Sequence, residues 1–266
     1  MSSKIAYDIV GEGEPIIFVH GVGSRKYSWD GVVEKLQDRY QCVTYSLRGH
    51  GDSPLPNNSN DFNLDDLVDD LESLRVHLKL EKIHLAGHSL GGQIVPCYAK
   101  KHPDRTKSLT MLSTAAFRTD VEKQKILDLV DEMRKSGLDE VLPRLISRWY
   151  TDEFALKNPD IVEKRIEMIK GMSLETFLRV FTIYANCKME EWIHQISIPV
   201  LIMTGSEDVG CSPRLNKMIA EAMPQAELKI LKNLRHSINT ERPDLVGNNI
   251  KLFLSELKKN NLEKII

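Results

Sequence analysis

Gly87-His88-Ser89-Leu90-Gly91 places a serine between two glycines, directly after an apolar run and before a helical pattern. That context suits a sharp strand-to-helix turn that exposes the serine hydroxyl, with glycines where larger side chains would collide. A serine used as a nucleophile needs a base and an acid to orient that base. Eight histidines compete for the first role. His20 and His88 lie within glycine-containing loops, and His50 belongs to the turn Arg48-Gly49-His50-Gly51-Asp52-Ser53. His84 sits in a strand pattern, His77 and His102 on helices, and His194 in a helical block. Only His236 follows the last strand pattern, where a loop can carry imidazole back to the serine. In enzymes built on this turn the chain order is serine, acid, histidine. Gly205-Ser206-Glu207-Asp208 ends the run Val200–Thr204 and supplies the acid, with Asp208 expected and Glu207 as the alternative. The expected chemistry is acyl transfer, with His236 taking the Ser89 proton while Asp208 holds the tautomer and stabilises the imidazolium.

Acyl transfer also needs donors aimed at the oxyanion. Phe18-Val19-His20-Gly21-Val22-Gly23 is a strand running into a glycine-rich turn, and the backbone amides of Val22 and Leu90 are the expected pair. Each such donor contributes roughly 3–4 kcal/mol in the transition state. The alternative is a plain glycine turn. A serine at the turn argues against dehalogenase or epoxide-hydrolase chemistry, which needs a carboxylate nucleophile there. With no metal-ligand cluster and no dinucleotide fingerprint in the sequence, neither a metal nor an organic cofactor is expected.

The elements that must position these residues are short apolar runs alternating with helical patterns, the mark of parallel strands joined by helical crossovers. The runs are 15–20, 40–45, 82–87, 107–112, 199–203 and 227–231, β-branched and leucine-rich as in strands covered on both faces. Leu64, Leu67, Val68, Leu71, Leu74 and Leu78 recur at spacings that place them on one face of a crossover helix, opposite Asp65, Asp66, Asp69 and Glu72. Residues from about 116 to 195 break the alternation with several helical patterns and no strand. The expectation is one domain over residues 1–266, a mostly parallel, doubly wound α/β sheet with a helical cap inserted at 116–195 over the strand ends that bind ligands.

Together, these motifs resemble the α/β-hydrolase superfamily over about residues 15–255, and within it the 3-oxoadipate enol-lactonases and acylaminomethylene-succinate hydrolases. Arg148-Trp149-Tyr150-Thr151 is similar to an Arg-Trp-Phe-Thr segment of the enol-lactonase cap. His236-Ser237-Ile238-Asn239-Thr240-Glu241-Arg242-Pro243 resembles the stretch bearing the catalytic histidine, and Gly205-x-x-Asp208 with Pro213 behind it resembles the acid loop. The sequence departs from the pattern at Ser46, where relatives commonly carry Asp, at Arg235, where many carry Gly, and at His20-Gly21-Val22-Gly23, where enol-lactonases tend to have Ser-Leu-Gly in the first oxyanion loop. The resemblance implies hydrolysis of an activated amide, ester or enol-lactone in a small carboxylate-bearing catabolic intermediate. Arg148 then offers a bidentate fork to the substrate carboxylate and Trp149 a pocket wall. Their alternatives are an ion-paired surface residue and a packing anchor. Arg25, just past the first glycine loop, is placed either to meet an anionic group or to face solvent. Other functions open to this fold are carbon–carbon bond hydrolysis of a dienoic keto acid and ligand reception with slow turnover.

Composition narrows the partners. The 266 residues are 41% hydrophobic and 28% charged with a net charge of −2, an ordinary balance that favours neither nucleic acid nor an acidic membrane. Cys42, Cys97, Cys187 and Cys211 form no Cys-x-x-Cys pair, so a reducing, cytoplasmic setting is expected. The start Met-Ser-Ser-Lys-Ile-Ala-Tyr-Asp lacks an apolar leader, and no apolar run approaches the ~20 residues that span a bilayer. The expected partner is a small acidic molecule, with oligomeric state left open.

Overall fold

The computed structural model describes residues 5–56 and 59–263. Seven strands form one sheet: β1 (Tyr7–Val10), β2 (Glu14–Val19), β3 (Tyr40–Tyr45), β4 (Ile83–His88), β5 (Thr106–Leu112), β6 (Val200–Gly205) and β7 (Ala226–Leu231), in the order β1-β3-β2-β4-β5-β6-β7. All pairings are parallel except β1 against β3. The six runs expected from sequence are present with ends shifted by a residue or two. The unexpected strand is β1, whose Ile9 and Val10 are 43% and 41% exposed, so its short half-wet edge lacks the apolar continuity of the interior strands.

Helices lie on both faces, as right-handed crossovers between parallel strands require. On one face α2 (Leu64–His77) and α3 (Leu90–Lys101) cover Ile17, Val19, Leu85 and Leu109; on the other, α1 (Asp30–Val33) and α11 (Pro243–Glu263) cover Ile16, Phe18, Ala86 and Leu201. Successive residues of β2 thus feed opposite cores, as the two-residue period of a strand dictates. Of the expected leucine face of α2, Leu67, Val68, Leu71 and Leu74 are buried while Leu64 and Leu78 at its ends are half-buried. Asn63 caps the helix by accepting from the Asp65 and Asp66 amides while Asp66 reaches back to the Asn63 amide.

Between β5 and β6 the chain is helical: α4 (Asp120–Ser136), α5 (Leu138–Trp149), α6 (Asp152–Lys157), α7 (Pro159–Lys170) and α8 (Leu174–Asn186), with no strand among the described residues. Beyond β6 come α9 (Pro213–Ala222) and, after β7, the short α10 (Ile238–Glu241). The strand order reverses direction between β2 and β4, whose carboxyl ends are adjacent in register at Val19 and Gly87. That switch point is where open α/β sheets bind ligands. No described helix is long and apolar enough to cross a membrane.

Candidate active site

Ser89 is the hinge between β4 and α3. Its φ of 57° and ψ of −114° lie in a region that side-chain-bearing residues rarely adopt. Two glycines make the turn fit. A Cβ on Gly87 would lie 2.2 Å from the Gly91 carbonyl oxygen, and one on Gly91 would lie 2.0 Å from that of Val19. The Ser89 amide donates to Leu112 O of β5 at 2.9 Å, which ties the turn to the next strand.

The loop after β2 closes on the same spot. A Cβ on Gly21 would approach Ser89 Cβ to 2.8 Å, so only glycine lets this loop reach the serine. Among the described hydrogen bonds, neither the Val22 amide nor the Leu90 amide donates to a protein acceptor, and Leu90 opens α3, whose N-terminal dipole favours negative charge. The loop is held from behind by neutral histidines. His20 Nε2 accepts from the Leu47 amide at 2.9 Å while its Nδ1 meets Gly21 O; His50 Nε2 accepts from the Gly23 amide at 3.3 Å while its Nδ1 meets Arg48 O. Burial keeps both rings uncharged, pushing His50 down to about 4 and His20 well below its ordinary value. His88, lowered to about 3 by burial, donates from Nε2 to the His236 carbonyl at 2.9 Å. Three histidines set aside from the sequence, His20, His50 and His88, therefore hold loops.

Of the two carboxylates considered, Asp208 meets the ring: its Oδ2 lies 2.7 Å from His236 Nδ1. Its Oδ1 accepts from the Gly210 and Cys211 amides at 3.0 and 2.8 Å, and the residue is 2% exposed. Glu207 points away, 3.9 Å from Arg235 Nε. With Nδ1–H committed to Asp208, Nε2 is left to take a proton. Burial disfavours a charged His236, but the charges and hydrogen bonds of Asp208 and Cys211 together outweigh it, so the ring's pKa is raised. The His236 charge and the hydrogen bonds to Asp208 likewise overcome burial there and lower the Asp208 pKa. Ser89, His236, Asp208 and Val22 border one cavity, roofed by Leu145, Trp149 and Phe181 of the helical insertion. No hydrogen bond joins Ser89 Oγ to the ring among the described residues; such contacts commonly tighten only with substrate present.

The segment Arg148–Thr151 is docked on the loop that bears His236. The Trp149 carbonyl accepts from the Ser237 amide at 2.9 Å, and Thr151 Oγ1 donates to Glu241 Oε2 at 2.5 Å. Arg235 donates to the carbonyls of Ser147 and Tyr150 at 2.7 and 2.8 Å and pairs with Asp152. The departure from glycine at position 235 thus clamps the insertion to the histidine loop. Trp149 is buried and lines the cavity, whereas Arg148 is exposed at its rim.

Three residues went unread in the sequence. Tyr184 lines the cavity and its hydroxyl lies 2.9 Å from Cys211 Sγ; Cys211 in turn falls with Asp208 and His236 in a group whose donor atoms are within 4.8 Å of one another. Each of these donors already has a protein partner, so the cluster braces the ring. Arg165 of α7 donates to Val22 O at 2.8 Å and lies over the Trp149 ring, 5.0 Å from its centroid. No local pattern marks these residues; only Cys211, three positions past Asp208 at the start of the turn leading to α9, had a findable place.

A family model described as the alpha/beta hydrolase fold matches residues 14–243. The (E)-2-((N-methylformamido)methylene)succinate hydrolase of Acinetobacter baylyi is 24% identical over 248 residues, 92% of this chain and 91% of that protein. The 3-oxoadipate enol-lactonase 2 of the same organism is 28% identical over 229 residues, 86% of this chain and 84% of that protein. Among solved structures, the enol-lactonase from Burkholderia xenovorans superposes with a TM-score of 0.87 at 20% identity, covering 96% of this chain and 99% of that one.

Proposed function

Because the chain belongs to the alpha/beta hydrolase fold family and is a hydrolase, we propose that it cleaves an activated amide, ester or enol-lactone in a small carboxylate-bearing molecule through Ser89, His236 and Asp208. The observation that carries the proposal is the convergence on one cavity of the strained serine, the histidine paired with a buried aspartate, and the unengaged Val22 amide, with the unengaged Leu90 amide next to the serine in the chain. In this mechanism His236 Nε2 takes the Ser89 proton as Oγ attacks the acyl carbon. The Val22 and Leu90 amides hold the developing oxyanion, and imidazolium returns the proton to the leaving nitrogen or oxygen. Water then repeats the sequence to release the acid and free Ser89. The acidic substrate class is supported by the succinate and oxoadipate compounds in the relatives' names and by arginines at the cavity wall, Arg148 among them.

Ser89→Ala is expected to lower kcat by about four to six orders of magnitude while the protein stays folded. Near-normal turnover by the folded variant would overturn the mechanism. Assaying the wild-type protein with aromatic-ring and N-heterocycle cleavage intermediates decides between lactone, ester and amide.

A further inference from the structure

Beside the main cavity lies a second, which shares His88, Arg165 and Ser237 with it. Its walls come from the segment Ser24–Ser28 after the first glycine loop, from α7, and from the turn Ser237–Thr240 after the histidine. Arg25, Lys164 and Arg165 line it, and no carboxylate does. None of the three forms an ion pair among the described residues, whereas cations elsewhere on the surface, such as Arg144, Arg214 and Arg235, face carboxylates. Arg165 is the telling one. Burial disfavours its charge, the Tyr150 hydroxyl offsets this only in part, Arg25 repels it, and no carboxylate acts on it in return. A partly desolvated guanidinium without a counter-charge is unfavourable unless an anion completes it. Of its donors, Nη2 is engaged with Val22 O, which leaves the rest of the fork free.

The surroundings of Arg148 differ. That residue also borders a third cavity, where Glu122, Asp128 and Glu132 stand among the cations, and the pairs Arg144–Glu132 and Arg214–Glu122 close at 2.5 Å each. Carboxylates there answer Arg144 and Arg214, although Arg148 itself forms no ion pair among the described residues.

We propose that the Arg25–Lys164–Arg165 cavity is an oxyanion-binding side arm of the active site, which holds a carboxylate or phosphate substituent of the substrate remote from the bond being cleaved. The proposal rests on the hydrolase reading and extends it. The substrate is bipartite, with one part against the apolar wall of Ile126, Leu129 and Phe181 and an anionic end in the basic arm. Arg165 reaches both the anion and the carbonyl of Val22, so filling the arm also steadies the loop that carries the oxyanion donor.

The test is calorimetric titration of the Ser89→Ala protein with succinate, neutral dimethyl succinate and inorganic phosphate, at low and high salt. Succinate or phosphate is expected to bind at least about tenfold more tightly than dimethyl succinate, and more weakly at high salt. Whichever of the two binds more tightly identifies the anion. Lys164→Met and Arg25→Met are each expected to weaken anion binding roughly tenfold, and Arg165→Met more, whereas Lys125→Met in the third cavity leaves it unchanged. Arg165→Met also removes the bond to Val22; if that variant does not fold, substitution of the exposed Lys164 decides the question. Anion affinities indifferent to Lys164→Met and Arg25→Met, or dimethyl succinate binding as tightly as succinate, would overturn the side arm. The two readings separate because wild-type hydrolysis of neutral p-nitrophenyl acetate, abolished by Ser89→Ala, tests the hydrolase whether or not the arm binds anions.

Discussion

At the scale of single residues, Asp208 and Arg148 make the sharpest predictions. The proposed base works only as neutral imidazole, so kcat/KM should fall as pH drops through the His236 pKa. Asp208 raises that pKa, which puts the acid limb above the ordinary histidine value of about 6.5. In Asp208→Asn the raising charge is gone and burial remains, so the limb should move to lower pH while kcat falls by about four orders of magnitude. Glu207→Gln should do neither, since Glu207 faces Arg235. A pH profile of each variant decides, and a crippled Glu207→Gln beside an active Asp208→Asn would reverse the assignment. Arg148 sits exposed at the cavity rim. If it meets the substrate carboxylate, Arg148→Met should cost an acidic substrate more kcat/KM than its methyl ester, by about tenfold rather than the thousandfold of a desolvated pair. Equal losses for acid and ester would leave Arg148 a support for α5 alone.

At the scale of elements, the strand-to-helix turn is set by backbone approach. Gly91→Ala would push a methyl into Val19 O at 2.0 Å and His20 O at 2.8 Å, both fixed backbone atoms. The expected cost is about 3 kcal/mol, a fall in Tm of roughly 6–12 °C for a chain of this size. Gly171, at the end of α7, is the counterpart. Its φ of −76° suits any residue and the nearest atom to an added Cβ is 3.4 Å away, so Gly171→Ala should leave Tm unchanged or raise it slightly. Thermal melts of the two variants separate crowding from the general effect of replacing glycine. The elements themselves were legible. Interior strands such as β6 are buried along their whole length and so appear as mostly apolar runs, and β4 was still legible although His84 and His88 interrupt it. β1 escaped because a four-residue edge strand has too little apolar continuity to register.

At the scale of the whole molecule, the candidate active site is a seam. The serine comes from the sheet's switch point, the histidine loop from beyond β7, and the roof from helices inserted between β5 and β6. Arg235, the Trp149 carbonyl and Thr151 stitch the roof to the histidine loop. The Asp208–Cys211–His236 group at this seam could pass for a metal site by residue type. Its donors are engaged instead: Asp208 by two amides and the ring, and Cys211 by the Tyr184 hydroxyl. Dialysis against a chelator should therefore leave the rate unchanged. Activity lost on dialysis and restored by a divalent ion would refute this.

Sequence alone determined whatever depends on local patterns: which runs become strands, which glycines allow a tight turn, and the order in which serine, acid and histidine follow strand ends. These features are short-range and confined to a few consecutive residues. Tertiary structure alone decided how distant segments meet. Asp208 and Glu207 are adjacent and chemically equivalent in sequence; the close passage of Gly205 under Leu234, where a Cβ would sit 2.2 Å from a carbonyl, helps set which carboxylate faces His236. The arginines divide in the same way. Arg148 stood out because its neighbours resemble a known segment, while Arg165 is one cation among many on a charged helix until folding buries it beside Val22 without a counter-charge. Burial and the lack of a partner are properties of the whole packing, summed over elements far apart in the chain, and no window of sequence contains them.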